Sequence, residues 1–368
     1  MHFEVLKAQG ADAGRWSGLI ARLEAAQRDI HFLPQYARIY ERTYGHEPFL
    51  AFFGDSEHYV VQAFIKRALN GLPFLEERGT NERYFDIASQ YGYGGPAWRA
   101  QGLDEAVSLY RGMRHELAAW CIEQRIATEF VNLHPLLENE CVVAAAGIAI
   151  SPEKQVVYID CAAGETTLWA GMNRGHKSNL QRARKSGIRV TKVEPSAHNV
   201  AEFARLYYLT MDRNRAAERW YFPERYFTEC VAQLGVDRVS LFFATTADAL
   251  ASAYLLMHDF GVAYYHFAGS DPRFFELRAN NAIMYETALW ATRAGFRKYH
   301  LGGGVGASEE DSLFRFKAGF SPLRATLFSY GIVHHEAMYR ELCELKTRHE
   351  IATAGAASGS GFFPTYRR

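Results

Sequence analysis

Across 368 residues, 41 Lys and Arg are balanced by 41 Asp and Glu. A neutral chain has no overall field to hold nucleic acid, which leaves only a local basic patch for that purpose. The length points to two domains, and a composition 48% hydrophobic and 14% aromatic is ample for buried cores. No run of about 18 apolar residues is present, so no transmembrane segment is expected. The first sixteen residues lack the apolar core of a signal peptide. Cys121, Cys141, Cys161, Cys230 and Cys343 are odd in number and far apart. That fits reduced thiols and a cytoplasmic location, not a disulfide framework.

In chain order, residues 16–28 and 33–44 read as helices, the second opened near Pro34. Residues 50–53 and 59–66 read as a hairpin, and 84–88 as a third strand. Gln90-Tyr91-Gly92-Tyr93-Gly94-Gly95-Pro96 follows. Two readings stand for it: a loop where backbone approaches a ligand, with Tyr91 and Tyr93 in contact, or a tight turn packed by aromatics. Asp104 caps a helix reaching about Arg125, and residues 129–134 and 156–160 are strands. A domain boundary falls near Gly164, giving domains at 1–164 and 165–351 with a flexible tail at 352–368.

Residues 171–193 carry Arg174, Lys177, Arg182, Arg184, Lys185, Arg189 and Lys192 with no Asp or Glu. Such a run attracts phosphates, and Arg182 and Lys185 are its candidate contacts. The plainer alternative is a solvated helix face. Helices at 200–214 and 223–234 precede a hairpin of 239–245 and 251–257. Residues 263–268 form a buried strand, 280–294 a helix ended by Gly295, and 299–301 a strand entering Gly302, Gly303 and Gly304. In 314–320 the residues alternate. Phe314, Phe316, Ala318 and Phe320 would share one face of a strand, with Arg315 and Lys317 on the other. A strand at 325–333 and a helix at 336–349 complete the pattern.

Metal and redox cofactors are not expected. His334-His335-Glu336 lacks paired-ligand spacing and the cysteines form no close pair. Gly171 to Ser178 has the wrong spacing for a phosphate loop, Gly302 to Gly306 opens no dinucleotide site, and no serine sits in a nucleophile elbow.

GSDP at Gly269–Pro272, LRANN at Leu277–Asn281, the glycine run, DSLFRFKAGF at Asp311–Phe320 and YGYGGP at Tyr91–Pro96 resemble the Fem-type peptidyltransferases and their acetyltransferase-fold (GNAT-like) relatives. The resemblance implies an α+β protein of two GNAT-like acyltransferase domains, each a mixed twisted sheet flanked by helices. It implies an N-acyltransferase that moves an amino acid from aminoacyl-tRNA to an amine acceptor, a peptidoglycan precursor or a secondary metabolite. Lys317 would stabilise the oxyanion of the transition state, and Phe316 carries over as its packing neighbour. Tyr265, His266, Arg278, Asn280 and Asn281 would lie beside the cleft, although Asn280 could equally be a helix cap. Without the resemblance, Lys317 reads as an edge-strand lysine that discourages aggregation.

Acetyl-coenzyme A enzymes of this superfamily cradle the pyrophosphate on a glycine-rich loop before a helix. Here that place holds SDPRFFELRAN, which counts against an acyl-CoA donor. Acyl-CoA-dependent acylation of an amino sugar or small amine is the first alternative. A noncatalytic binding protein with this fold is the second.

Overall fold

The computed structural model describes residues 1–76, 83–354 and 363–367. The chain divides into two compact units, Met1–Pro152 with Leu327–Arg368, and Glu153–Thr326. The first contains β1 (His2–Lys7), α1 (Gly10–Arg22), α2 (Pro34–Tyr44), β2 (Glu47–Gly54), β3 (Tyr59–Ala68) and α3 (Pro73–Glu76). It continues with β4 (Phe85–Ala88), β5 (Pro96–Arg99), α4 (Leu103–Glu123), β6 (Ile126–Asn132) and α5 (Asn139–Ala145). β7 (Ser151–Asp160) opens the second unit, followed by α6 (Gly164–Gly171), α7 (Arg174–Lys185), β8 (Arg189–Val193), α8 (Ala197–Arg213) and α9 (Glu224–Leu234). Then come β9 (Val239–Thr245), β10 (Leu250–Asp259), β11 (Val262–Ser270), α10 (Ala279–Arg293), β12 (Lys298–Gly302) and α11 (Ser312–Ala318). β13 (Arg324–Val333) ends in the first unit, where α12 (Glu336–Ala354) also lies.

In the first unit the strand order is β1-β2-β3-β4-β6-β13, with β5 also on β3. The β4–β6 pair is parallel and the others are antiparallel. Phe49, Phe64, Tyr110, Met113, Leu117 and Val131 form one core over this sheet. A buried carboxylate ties it together. Glu129 accepts two bonds from Arg114 at 2.8 and 2.7 Å, and one each from Gln62 and Tyr330 at 2.8 Å. Burial alone would raise the Glu129 carboxyl, yet the Arg114 guanidinium beside it holds it far below the usual range.

Two expectations change here. The boundaries lie at 152/153 and 326/327, and α12 belongs with the first unit because its Met338 and Leu342 pack with Leu69, Phe74 and Tyr84. The expected tail also divides. Residues 352–354 end α12, 355–362 lie outside the described residues, and Phe363–Arg367 are docked. Tyr366 is buried, its hydroxyl 2.5 Å from Thr128 Oγ1. Arg367 meets the buried Asp86 carboxylate at 2.5 and 3.0 Å, alongside Arg67 at 2.8 and 3.0 Å. The tail's small, polar composition hid these two anchoring residues at its far end.

In the second unit the order is β7-β12-β11-β10-β9-β8. Only β11–β12 is parallel. α7 and α10 supply Leu180, Ala183, Ile283, Met284 and Ala288 to the core on one face. On the other, Tyr207 of α8 and Phe227 of α9 pack on Phe267, and Phe203 packs on Phe227. Two irregularities shape β11. Its pairing with β12 covers only Val262, Ala263 and Tyr264, so the strands separate from Tyr265 onward. A bulge lies at His266, since Leu255 faces Phe267 while Leu256 faces Tyr265. A bulge re-aims side chains, and here it sends Tyr265 and Phe267 to opposite faces.

The stretch expected as a strand at 314–320 is the helix α11. Asp311 caps it, accepting from Leu313 N and Phe314 N at 2.9 Å each. Phe314 and Lys317, three apart, therefore share the buried face, and Arg315 is exposed. An Asp cap and a terminal Gly319 outweigh a two-residue alternation over so short a run.

The Asp86 contacts give a first prediction. Arg367→Met removes half of the partners of a buried carboxylate. It should destabilise the protein by about 2 kcal/mol, as hydrogen bonds to charged groups do. Urea denaturation followed by circular dichroism checks this, and an unchanged midpoint would mean that the docked end adds no stability.

Candidate active site

Where β11 leaves β12, a lysine fills the opening. Lys317 is 5% exposed. Its Nζ donates to the Gly303 carbonyl at 2.7 Å and lies 5.0 Å from the centre of the Tyr265 ring. Tyr265 stands edge-on to Tyr254 at 4.8 Å. Lys317 makes no ion pair among the described residues. Burial, with Lys154 as a nearby like charge, pushes the ammonium down to about 7, opposed by Asp311. A lysine tuned this way can exchange its proton near neutral pH.

The glycine turn below it is shaped by what touches it. Gly302 has φ +75°, which L side chains rarely adopt, and a Cβ there would sit 3.4 Å from Lys317 Nζ. A Cβ on Gly303 would lie 2.8 Å from the Gln155 carbonyl oxygen, and one on Gly304 2.4 Å from Asp311 Oδ1. Asp311 also accepts from Val305 N at 3.2 Å, so one carboxylate fixes both the turn and the start of α11.

At its other end α11 is held by α7. His176 Nε2 donates to the Phe316 carbonyl at 2.7 Å, and its ring lies 5.3 Å from Phe316 and 4.3 Å from Phe320. Phe316 thus anchors the helix that carries Lys317. Asn173 N donates to Gly319 O at 2.9 Å, an approach that a side chain at 319 would block. His176, Asp311 and Lys154 are site residues the sequence reading missed. His176 was hidden in a charge run, and Asp311 in an extended reading of 314–320.

The remaining candidates scatter. His266 is on the opposite face from Tyr265, 3.1 Å from the Tyr226 hydroxyl. Asn280 is not a cap, because its Oδ1 accepts from Ser252 Oγ at 2.7 Å. Arg278, at φ +59°, is itself the residue before α10. Arg278 Nε and Asn281 Nδ2 are buried without a hydrogen-bond partner, two donors at the start of α10. On α7, Arg182 and Arg184 pair with Glu276 and Glu286 at 3.1 and 3.3 Å. Lys177 and Lys192 lie over Trp169 and Trp290. Acids from distant sequence partly balance the basic run, while Arg174, Lys185 and Arg189 stand exposed.

Tyr91 and Tyr93 lie in the first unit. The Tyr91 carbonyl accepts from Tyr36 at 2.5 Å, and the Tyr93 ring packs 5.3 Å from His31 and 5.1 Å from His134. A Cβ on Gly92 would meet His31 Nε2 at 2.7 Å, and its φ of +101° is one that L side chains rarely adopt, so packing and backbone account for that glycine. Under this loop Asp29, His31 and His134 bring ligand-type atoms within 4.8 Å of one another. Their bonding suits a hydrogen-bonded carboxylate better than a metal. His134 Nδ1 accepts from Leu136 N at 3.1 Å, which places the ring proton on the Nε2 that faces Asp29. Spacing could not find this group, because its members come from residues 29–31 and 134.

Among the described residues, no helix is long and apolar enough to cross a membrane.

Asp311→Ala should cost about 1 kcal/mol, the usual value of a helix cap. It should also broaden the backbone amide signals of residues 302–306 in an NMR spectrum. Wild-type signals there would mean that the turn holds without this carboxylate.

Comparison with known proteins accords with this geometry. Residues 173–318 match the family model of the acetyltransferase (GNAT) domain. The solved structure of FemX superposes with a TM-score of 0.67 at 13% identity, covering 93% of this chain and 99% of that one. The C-terminal domain of a putative lysylphosphatidylglycerol synthetase from Agrobacterium fabrum gives 0.51 at 12% identity, covering 95% and 97%. L-PGS from Bacillus licheniformis gives 0.51 at 10%, covering 89% and 92%. No curated protein sequence matches significantly. Residues 173–318 thus match the acetyltransferase (GNAT) domain family, and the chain has a Fem-like fold.

Proposed function

We propose that this protein is an acyltransferase that works in the cytoplasm and takes an amino acid from aminoacyl-tRNA, joining it to an amine on a peptidoglycan precursor or a secondary metabolite. The first unit would be the second GNAT-like module. The observation that carries the reading is Lys317, a buried cation without an ion pair among the described residues, at the opening between β11 and β12. When an amine attacks the ester carbonyl, a C–N bond forms and charge collects on the oxygen. Collapse breaks the C–O bond to the ribose, and the proton lost by the amine balances the one gained by the ribose oxygen. A preorganised ammonium beside that oxygen would lower the barrier.

The turn before α10 supports this donor. Its amides are used internally: Arg273 N bonds to Asp271 Oδ1, Phe274 N to Asp271 O and Arg278 N to Phe275 O. A coenzyme A pyrophosphate would find few amides there. Arg278 Nη2 is 3.7 Å from Glu276, but Arg278 Nε and Asn281 Nδ2 lack hydrogen-bond partners and suit a single acidic group, and Arg174, Lys185 and Arg189 suit a phosphate backbone. The acetyltransferase family match favours an acyl-CoA donor as the second reading.

The protein is to be incubated with a pool of charged tRNAs, and separately with acyl-CoAs, and amine acceptors then analysed by mass spectrometry. Amide product with tRNA supports the proposal. Product with acyl-CoA alone supports the second reading, and binding without product under either condition supports a noncatalytic role.

Two further outcomes follow. If the Lys317 ammonium holds the oxyanion, it acts only when charged, so kcat/KM should fall as pH rises through about 7. A rate that instead rises through this range would make Lys317 a base. Lys185→Ala should reduce the salt dependence of tRNA binding by about one unit of slope. Arg182→Ala should change it less, because that guanidinium already pairs with Glu276. Unchanged slopes in both variants would return α7 to a solvated face.

A further inference from the structure

A second lysine reaches the same turn. Lys154, on β7, donates from Nζ to the Gly304 carbonyl at 3.2 Å, next to the Gly303 carbonyl that Lys317 holds at 2.7 Å. Its stem lines the turn, since a Cβ on Gly303 would lie 3.0 Å from Lys154 Cδ. Lys154 makes no ion pair among the described residues, and Glu153 and Asp311 are the acids that act on it. Two ammonium groups therefore sit on consecutive carbonyls of one glycine turn.

We propose that Lys154 is a positioning residue for Lys317: clamped on adjoining carbonyls, the two cations fix the turn, and their mutual repulsion adds to burial in setting when Lys317 carries its proton. Carbonyl dipoles favour each cation singly, but like charges brought together oppose full protonation of both. The groups facing Lys317 are Lys154 from β7, Asp311 ahead of α11 and the Tyr265 ring from β11. Asp311 is committed to the amides of Val305, Leu313 and Phe314. That leaves Lys154 as the group whose charge can be removed without undoing the helix cap. The inference deepens the acyl-transfer reading, but the charge coupling can be measured without any turnover.

The test follows the Lys317 side chain by NMR in protein labelled with 13C at lysine Cε, its signal assigned by its loss in Lys317→Met. Three variants at position 154 separate hydrogen bond from charge. Lys154→Gln keeps a donor for the Gly304 carbonyl and removes the charge. Lys154→Arg keeps both, and Lys154→Met removes both. The Lys317 midpoint should rise by about half a unit or more in the Gln and Met variants and stay near wild type in the Arg variant. The alkaline limb of kcat/KM should move with it. A midpoint unchanged in Lys154→Gln overturns the proposal, as does an equal shift in Lys154→Arg. If no donor supports turnover but the midpoints move as stated, the coupling stands and the acyl-transfer reading fails. If turnover is found and the midpoints do not move, the reverse holds.

Discussion

A buried ammonium is the constraint around which the second unit is built. Taking a lysine out of water is costly unless donors are satisfied or the proton is lost. Here the compensation is a backbone carbonyl and an aromatic face. To bring that carbonyl within reach, the chain turns through three glycines, each of them touched by a side chain or carbonyl of the site. To bring the lysine there, α11 is capped by Asp311 at one end and docked on His176 and Asn173 at the other. To make room, β11 parts from β12 after Tyr264 and bulges at His266. Each feature has its own local cause, and all of them converge on one nitrogen atom.

The buried charges of the first unit are handled differently. Glu129 is met by Arg114, Gln62, Tyr330 and His334. Asp86 is met by two arginines, and Asp29 by two histidines. These carboxylates are held below their usual range and change nothing near neutral pH. They serve stability. Lys317 is matched only partly and titrates near neutrality, which is what proton-linked chemistry uses.

The strands and long helices were legible because their apolar periodicity spans enough residues to be distinctive. β2, β3, β9, β10 and β11 and helices α8 and α10 fall close to where the pattern put them. Short elements were not. In α11 seven residues satisfy an alternating reading as well as a helical one, and the decision lay in the Asp311 cap. Lys317 was found through a motif, while its burial beside Phe314 reversed the expected geometry. Lys154 carried no signal at all, because nothing in the sequence near it indicates that it will meet residues 303–304. At the tyrosine-glycine loop the sequence left a ligand loop and a packed turn open, and in the structure a Cβ on Gly92 would meet His31.

The most direct test of the central claim is single-turnover acyl transfer by Lys317→Met, with donor Kd and Tm measured on the same protein. Methionine keeps the length and apolar stem while removing the charge. If the ammonium acts on charge that exists only in the transition state, the rate should fall on the order of 10²-fold while Kd stays near wild type and Tm does not fall. A normal rate would contradict the account, and a slow rate accompanied by a large loss of Tm would make Lys317 a structural residue.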